Sequence, residues 1–329
     1  MSAIEKWWIP EIHELASKLY SNVKNDLIIA INNKRVDPNK YSMLVVQNNT
    51  DIGSIHYVDN QEKKATELGI KLWVNNYGLV WNPERIYRDI KNSNKMQNLK
   101  SIFISNPMIA WLDLKTALRN VDRNKDIDGL TADNNNTVKN LQHTLEWSII
   151  HPTGLSVFLI GKHYLTDLED KNIIIIGETG MVWSMTKALF QRAWANVIGH
   201  DALHETDDAL SIKAQNADAI VSAIPVGHRF SQELFSWFAG PIIDVTTAKS
   251  TENNKTIGSI QLIPNSDEKI LYIPAMNWGV GTTTTAILFT NYIRCIINQE
   301  IAKGTELSRI ETIIKNDYSD IYGKIRIAA

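Results

Sequence analysis

The chain has 329 residues, with 34 Lys and Arg against 36 Asp and Glu and a net charge of −2, which leaves no basic field for nucleic acid. Its 44% hydrophobic and 21% charged residues fit a soluble globular protein long enough for two cores, and no apolar run reaches the ~18 residues that span a bilayer. The start, Met1 to Trp8, has no signal-type apolar stretch, and one cysteine, Cys295, cannot form an internal disulfide, so a reducing cytoplasm is expected and Cys295 reads as core filler.

In chain order, Trp8 to Ile31 reads as a long helix. An apolar strand, Ser42 to Val46, and a polar loop, Gln47 to Gly53, precede a helix from Ser54 to Leu68 with Gly69 as its C-cap. Strands follow at Ile70–Val74 and Ser101–Ile104, so the first half alternates β and α. The Asn- and Asp-rich stretch from Asn124 to Asn136 reads as a long loop. Four consecutive isoleucines, Ile173 to Ile176, then run into Gly177, with an apolar helix from Met181 to Trp194 and a short strand that ends at Asp201. Short apolar strands are expected at Ala217–Ile224 and Pro241–Val245. After Gly281 an apolar helix continues to about Ala302 and could cross back onto the first half; the charged tail, Lys303 to Ala329, reads as a surface helix pair or a dimer element.

Strand, glycine turn, helix, strand and acid form the order of a dinucleotide-binding βαβ unit. The turn turns N–H groups and a helix dipole toward a pyrophosphate. Asp201, 24 residues after Gly177, is placed to accept from ribose hydroxyls, or else it caps a turn. The glycines read G-x-x-G, and Val182-Trp183 fill the third position. The expected architecture is α/β: a first α/β domain over 1–150, a Rossmann-like, doubly wound parallel sheet over 151–287, and C-terminal helices over 288–329 packing back on the first domain. No His, Cys or Asp cluster has metal-ligand spacing, so no metal is implied.

Six separated stretches, in order, resemble the methylenetetrahydrofolate dehydrogenase/cyclohydrolase family across roughly residues 10 to 300. Ser54, Tyr57 and Val58 with Gly69-Ile70 resemble its S-x-x-Y-V…G-I helix, and Ile102 to Pro107 its V-Q-L-P strand end. Lys125 to Leu130 with Asn134 resemble K-D-V-D-G-F…N, and His151 to Gly154 resemble T-P-x-G. Gly177 to Met185 resemble G-R-S-x-x-V-G-x-P, and Gly279 to Thr284 resemble G-V-G-P-M-T.

The resemblance implies a folate substrate, a nicotinamide cofactor and a homodimer formed through the nucleotide-binding domain. It implies that Tyr57 orients the folate ring and that Asp128 accepts from the pterin's amino-pyrimidine. The plainer readings are a helix residue packing an interface and a turn aspartate. His151, standing where the family has threonine, reads as structural. Gly177, Glu178, Thr179, Val182, Asp201, Ala223, Ile224, Thr246, Gly281 and Thr284 are the implied cofactor-binding positions, although the threonine run 282–285 is equally well explained as an N-cap.

Two departures bear on the chemistry. The family's lysine, four residues after the tyrosine, is Gln61 here, and its glutamine partner is Ser105. Lys63 lies about 200° around the helix from Gln61, whereas Lys64 shares its face. Hydride transfer needs mainly positioning. Hydrolysis of a methenyl cation needs proton movement that a lysine assists and a glutamine does not. The expected activity is therefore NAD-dependent oxidation of 5,10-methylenetetrahydrofolate to the methenyl form, with cyclohydrolase weak or absent, as in the monofunctional NAD-dependent members. NAD is expected over NADP because Glu178 and about Ala202 stand where NADP-using members hold the 2′-phosphate with arginine and serine, and because Asp201 also repels a phosphate. A changed one-carbon or imine-type substrate, and a non-catalytic folate- or partner-binding protein, are the alternatives. They are credible because Leu130 and Trp183 also depart from the pattern. Trp183 separates them: an indole filling the pyrophosphate site would exclude the dehydrogenase. Trp7, Trp8, Trp111 and Trp183 line an altered pocket or fill the core.

Overall fold

A computed structural model describes residues 10–32, 41–50, 52–78, 82–105, 112–140, 148–177, 180–224, 227, 229–250, 256–263, 270–276 and 279–304. The first sheet is parallel, in the order β2-β1-β3, with β1 Ser42–Gln47, β2 Lys71–Asn76 and β3 Leu99–Ile104. Helix α1 Pro10–Asn32 precedes it. Helix α2 Ile52–Glu67 links β1 to β2, and α3 Pro83–Asn94 links β2 to β3. Every residue of β1 and β3 is buried, as strands covered on both faces require. In α2, Ser54, Val58, Gln61 and Ala65 are buried, a spacing that puts them on one stripe of the helix. Gly69, at φ 73°, ends α2 by taking a left-handed conformation that other residues avoid.

The stretch 124–136 is not a long loop. Ile102 donates to the Lys125 carbonyl at 2.7 Å, and a parallel bridge pairs Ile102 with Asp126, so this segment runs along the free edge of β3. Asp126 accepts from the Thr131 N–H at 2.7 Å and from Asn134 at 2.9 Å. Helix α5 Ala132–Lys139 follows the short α4 Leu114–Arg119. Polar side chains that suggested a loop instead bond the chain to itself and start a helix. Lys125 is structural: its ammonium donates to the Asn94 and Met96 carbonyls at the end of α3.

Helix α6 Pro152–Leu165 opens the second unit. Its sheet uses β4 Asn172–Ile176, β5 Asn196–His200, β6 Ala219–Ser222, β8 Pro241–Asp244 and β12 Leu271–Ile273, all parallel, in the order β12-β8-β6-β4-β5. Short strands β7 Phe230–Ser231, β9 Ala248–Lys249, β10 Thr256–Ile257 and β11 Ile260–Gln261 lie outside it, in two pairs. Counted along the chain, the large sheet has the order 2-1-3-4-5, a doubly wound topology whose switch point falls between β4 and β6. Ile173 and Ile175 pack with α6 and with α7 Met181–Arg192, whereas Ile174 and Ile176 face α8 Asp207–Ala214. The isoleucine run therefore reports a strand buried on both faces.

Helix α9 Val280–Ala302 joins both cores. Val280, Ala286 and Ile287 pack with α6, and Leu288 to Ile297 pack with β1 and with Val23 and Leu27 of α1. Cys295 is fully buried, and burial pushes its thiol pKa well up. Trp7, Trp8, Trp111 and the tail beyond Gly304 lie outside the described residues. No described helix is long and apolar enough to cross a membrane, and no described group of His, Cys, Asp or Glu could hold a metal ion.

Candidate active site

Tyr57, on the buried stripe of α2, meets Phe103 of β3 with ring centroids 5.9 Å apart. Burial pushes its phenol pKa up and the Asp128 charge pushes it further; the Gln61 amide nearby opposes both. Gln61, one turn on, is fully buried, and neither its Nε2 nor its Oε1 has a hydrogen bond of good geometry. Neither lysine of the same helix turn takes its place: Lys64 pairs with Glu67 at 2.5 Å and lies over the Tyr20 ring at 4.8 Å, and Lys63 is exposed. Ser105 meets Ser54 instead, with hydroxyl oxygens 2.7 Å apart.

Asp128 follows the segment along β3, and a second histidine-bearing segment is held against it. Asn291 of α9 donates to the carbonyls of Ile127 at 2.9 Å and Ile150 at 2.8 Å. The next residue in each segment, Asp128 and His151, is thereby set side by side. Gly129 permits the approach: it sits at φ +64°, and a Cβ there would lie 2.6 Å from the Ile149 carbonyl oxygen. His151 Nδ1 bonds the Asp128 carbonyl at 3.2 Å and lies 3.5 Å from its carboxylate. Burial alone would lower the imidazole pKa. The Asp128 charge and hydrogen bonds outweigh it, and the result is raised above the ordinary histidine value.

The switch point carries the second half of the site. Gly177, at φ +104°, ends β4 so close to β6 that a Cβ would meet the Ala223 carbonyl oxygen at 2.7 Å. Gly180, at φ +117°, caps α7, and a Cβ there would meet nothing within 4 Å. An open turn at a 12-residue helix N-terminus suits a pyrophosphate. Val182 is in the first turn of α7. Trp183, in the first turn of α7, is half-buried. It packs against the core around α6 with Lys187 over its ring at 4.8 Å, and it is not among the nearest atoms at either glycine. Ala223 and Ile224 follow β6, and Thr246 after β8 donates to the Ile224 carbonyl at 2.9 Å. Gly177, Ala223, Ile224 and Thr246 thus converge at the carboxyl ends of the strands. Asp201 forms a turn, accepting from the Leu203 N–H at 2.9 Å and His204 Nδ1 at 2.5 Å, and its carboxyl is held below the usual range by His204 first and Leu203 second.

A family model for the tetrahydrofolate dehydrogenase/cyclohydrolase catalytic domain matches residues 11–128, and one for its NAD(P)-binding domain matches residues 151–300. The chain belongs to this family. It is 27% identical over 290 residues to the bifunctional protein FolD of Clostridium beijerinckii, covering 87% of this chain and 97% of that one, and 29% identical over 277 residues to that of Clostridium novyi, covering 84% and 95%. Among solved structures, the methylenetetrahydrofolate dehydrogenase-cyclohydrolase of Trypanosoma brucei, complexed with NADP and an inhibitor, has a TM-score of 0.76 at 17% identity, covering 87% of this chain and 96% of that one. The NAD-dependent enzyme of Saccharomyces cerevisiae has a TM-score of 0.69 at 15%, covering 89% and 98%.

Within this tetrahydrofolate dehydrogenase/cyclohydrolase framework, Tyr57, Gln61, Asp128 and His151 gather in one place. Among the described residues, the Ser105 hydroxyl meets that of Ser54, seven residues before Gln61 on the same stripe. The threonine run is not an N-cap, because Gly279 holds that position. The Thr284 hydroxyl donates back to the Val280 carbonyl, and the Gly281 N–H donates to Ala275, so both serve the start of α9. Glu178 and Thr179 lie outside the described residues. Sequence reasoning demoted His151 and overlooked Asn291. A histidine immediately before the Pro152 that opens α6 was the available signal.

Proposed function

We propose that this chain oxidises 5,10-methylenetetrahydrofolate to the 5,10-methenyl form with NAD, and that its cyclohydrolase is weak or absent. The Gln61 amide carries this reading. It is buried beside Tyr57, where a lysine would be needed to move protons, and Lys64, on the same face of α2, is committed to Glu67.

NAD, when bound, supplies the hydride acceptor. The chain's own residues hold the substrate. Asp128 accepts from the amino-pyrimidine, and Tyr57 stays neutral and orients the ring against Phe103. Gln61 donates or accepts a hydrogen bond but cannot exchange a proton near neutrality. Gly177, Gly180 and the α7 N-terminus would receive the pyrophosphate, and the ionised Asp201 favours a ribose diol over a 2′-phosphate. The first domain is taken to end near residue 150 and the nucleotide domain near 287. The protein is taken to be a cytoplasmic homodimer.

The test follows reduced-nicotinamide formation with 5,10-methylenetetrahydrofolate and NAD or NADP in parallel, and separately the hydrolysis of 5,10-methenyltetrahydrofolate. Turnover with NAD and slow hydrolysis support the reading. No turnover with either cofactor, in folded protein, rejects it in favour of a changed substrate or a binding role.

A further inference from the structure

His151 is paired with Asp128, and its bonding fixes its chemistry. A main-chain carbonyl can only accept, so the Nδ1 that bonds the Asp128 carbonyl at 3.2 Å carries the hydrogen. In the neutral ring Nε2 is then a bare acceptor. Nε2 has no hydrogen-bond partner among the described residues, yet the side chain is only 10% exposed. The Asp128 carboxylate lies 3.5 Å from Nδ1, at the outer edge of hydrogen-bond distance, and each of its oxygens keeps further lone pairs. Both carboxylate oxygens therefore remain able to accept from a ligand.

An amino-pyrimidine edge presents three hydrogens close together: one on a ring nitrogen and two on the exocyclic amine. A carboxylate takes two of them. A buried third hydrogen without an acceptor costs about 1–3 kcal/mol. We propose that His151 is a specificity-determining residue of the folate site, accepting through Nε2 the second amino hydrogen while Asp128 takes the ring N–H and the first. The proposal rests on the folate reading above.

A consequence separates this role from simple packing. Once protonated, Nε2 becomes a donor and faces another donor, so the ligand prefers the neutral ring. Asp128 and the buried Asp126 favour the charged ring. The N-terminus of α6, which His151 caps, opposes it, and the neutral Tyr57 phenol adds no charge. Since the pKa in the free protein lies above the ordinary value, affinity falls as pH drops through that raised pKa and is full above it.

The experiment measures binding of tetrahydrofolate and of its 2-desamino-2-methyl analogue to the full-length protein between pH 5.5 and 8.5 by tryptophan fluorescence. Tetrahydrofolate is expected to bind about tenfold tighter at the alkaline end, the size of one hydrogen bond. The analogue, lacking the amino hydrogens, should show a flat profile. His151→Thr should bind tetrahydrofolate with a flat profile too. A parallel slope for both ligands on the unaltered protein, or a retained slope in His151→Thr, overturns the proposal. Failure of folded protein to bind tetrahydrofolate at any pH overturns the folate reading itself. The two-ligand comparison needs no variant, so it decides the matter even if His151→Thr does not fold.

Discussion

On the proposed reading, a cofactor at the end of β4 meets main-chain N–H groups around Gly177 and the start of α7. The proposed folate pocket, on the stripe of α2 and after β3, is built instead from side chains: Tyr57, Gln61, Asp128 and His151. A backbone cradle depends on φ angles and close approach, and it tolerates side-chain change around it. At Trp183, where the dinucleotide fingerprint has glycine, the indole packs against the core around α6. A pocket built from side chains has no such tolerance. Each departure at Gln61, Ser105 or His151 replaces a functional group and alters what the site can do.

The largest expected effects come from filling the two close approaches. Gly177→Ala puts a Cβ 2.7 Å from the Ala223 carbonyl oxygen at φ +104°. NAD affinity should fall by about 100-fold or more while tetrahydrofolate binding persists. Gly129→Ala puts a Cβ 2.6 Å from the Ile149 carbonyl and should do the reverse, with about 2–4 kcal/mol of stability lost. Titrating both ligands against both variants tests this. If either glycine change abolished both affinities equally, the two halves would not be separable.

Asn291→Leu comes next. It strips the Ile127 and Ile150 carbonyls of their shared donor inside the core. Denaturant unfolding should show about 2–4 kcal/mol lost, and folate affinity should drop more than NAD affinity, because the clamp lies beside Asp128 and His151. Equal losses would mean that Asn291 stabilises α9 rather than positions the folate pocket.

The same contrast explains what could be read from the sequence. The four isoleucines of β4 and the apolar α9 announce themselves because uniform burial leaves a uniform composition. The sheet that holds the nucleotide turn was therefore legible. Helix α3 carried its start in Asn82-Pro83-Glu84, where Asn82 accepts from the Glu84 N–H, but its exposed face is polar. Helix α5 was hidden because Asn135 and Asn136 are poor helix formers. It is held by Asp126 at one end and by Arg192, which donates to the Thr137, Val138 and Asn140 carbonyls, at the other. The role of His151 was illegible for a similar reason. Asp128 is 23 residues away, and the amide that aligns the two segments comes from a helix near the end of the described chain. Tertiary bonds of that kind leave no local pattern.

A smaller effect is expected from restoring the family pair. Gln61→Lys alone places an amine in a fully buried site with Ser105 still bonded to Ser54 and no amide to orient the amine. Gln61→Lys with Ser105→Gln supplies both the amine, with a pKa lowered by burial, and a partner to orient it. Hydrolysis of 5,10-methenyltetrahydrofolate should rise about tenfold or more in the double variant and little in the single one. A full rise with Gln61→Lys alone would show that the partner is dispensable.

The smallest effect should follow Asp201→Ser, because the carboxylate proposed to select the cofactor is only partly shielded from water. Removing that carboxylate frees His204 and deletes one anion from the region of the ribose hydroxyls, but Glu205 remains, paired with Lys213 at 2.5 Å. The ratio of kcat/KM for NADP to that for NAD should rise about five- to tenfold, the size of one screened charge at close range, and the gain should shrink as salt is added. The turn supplies an internal control. Asp201 also accepts from the Leu203 N–H, so the variant should lose a little stability whatever happens to the cofactor. A stability loss with an unchanged cofactor ratio would assign Asp201 to the turn alone and move the choice between cofactors to other residues of the β4–α7 turn.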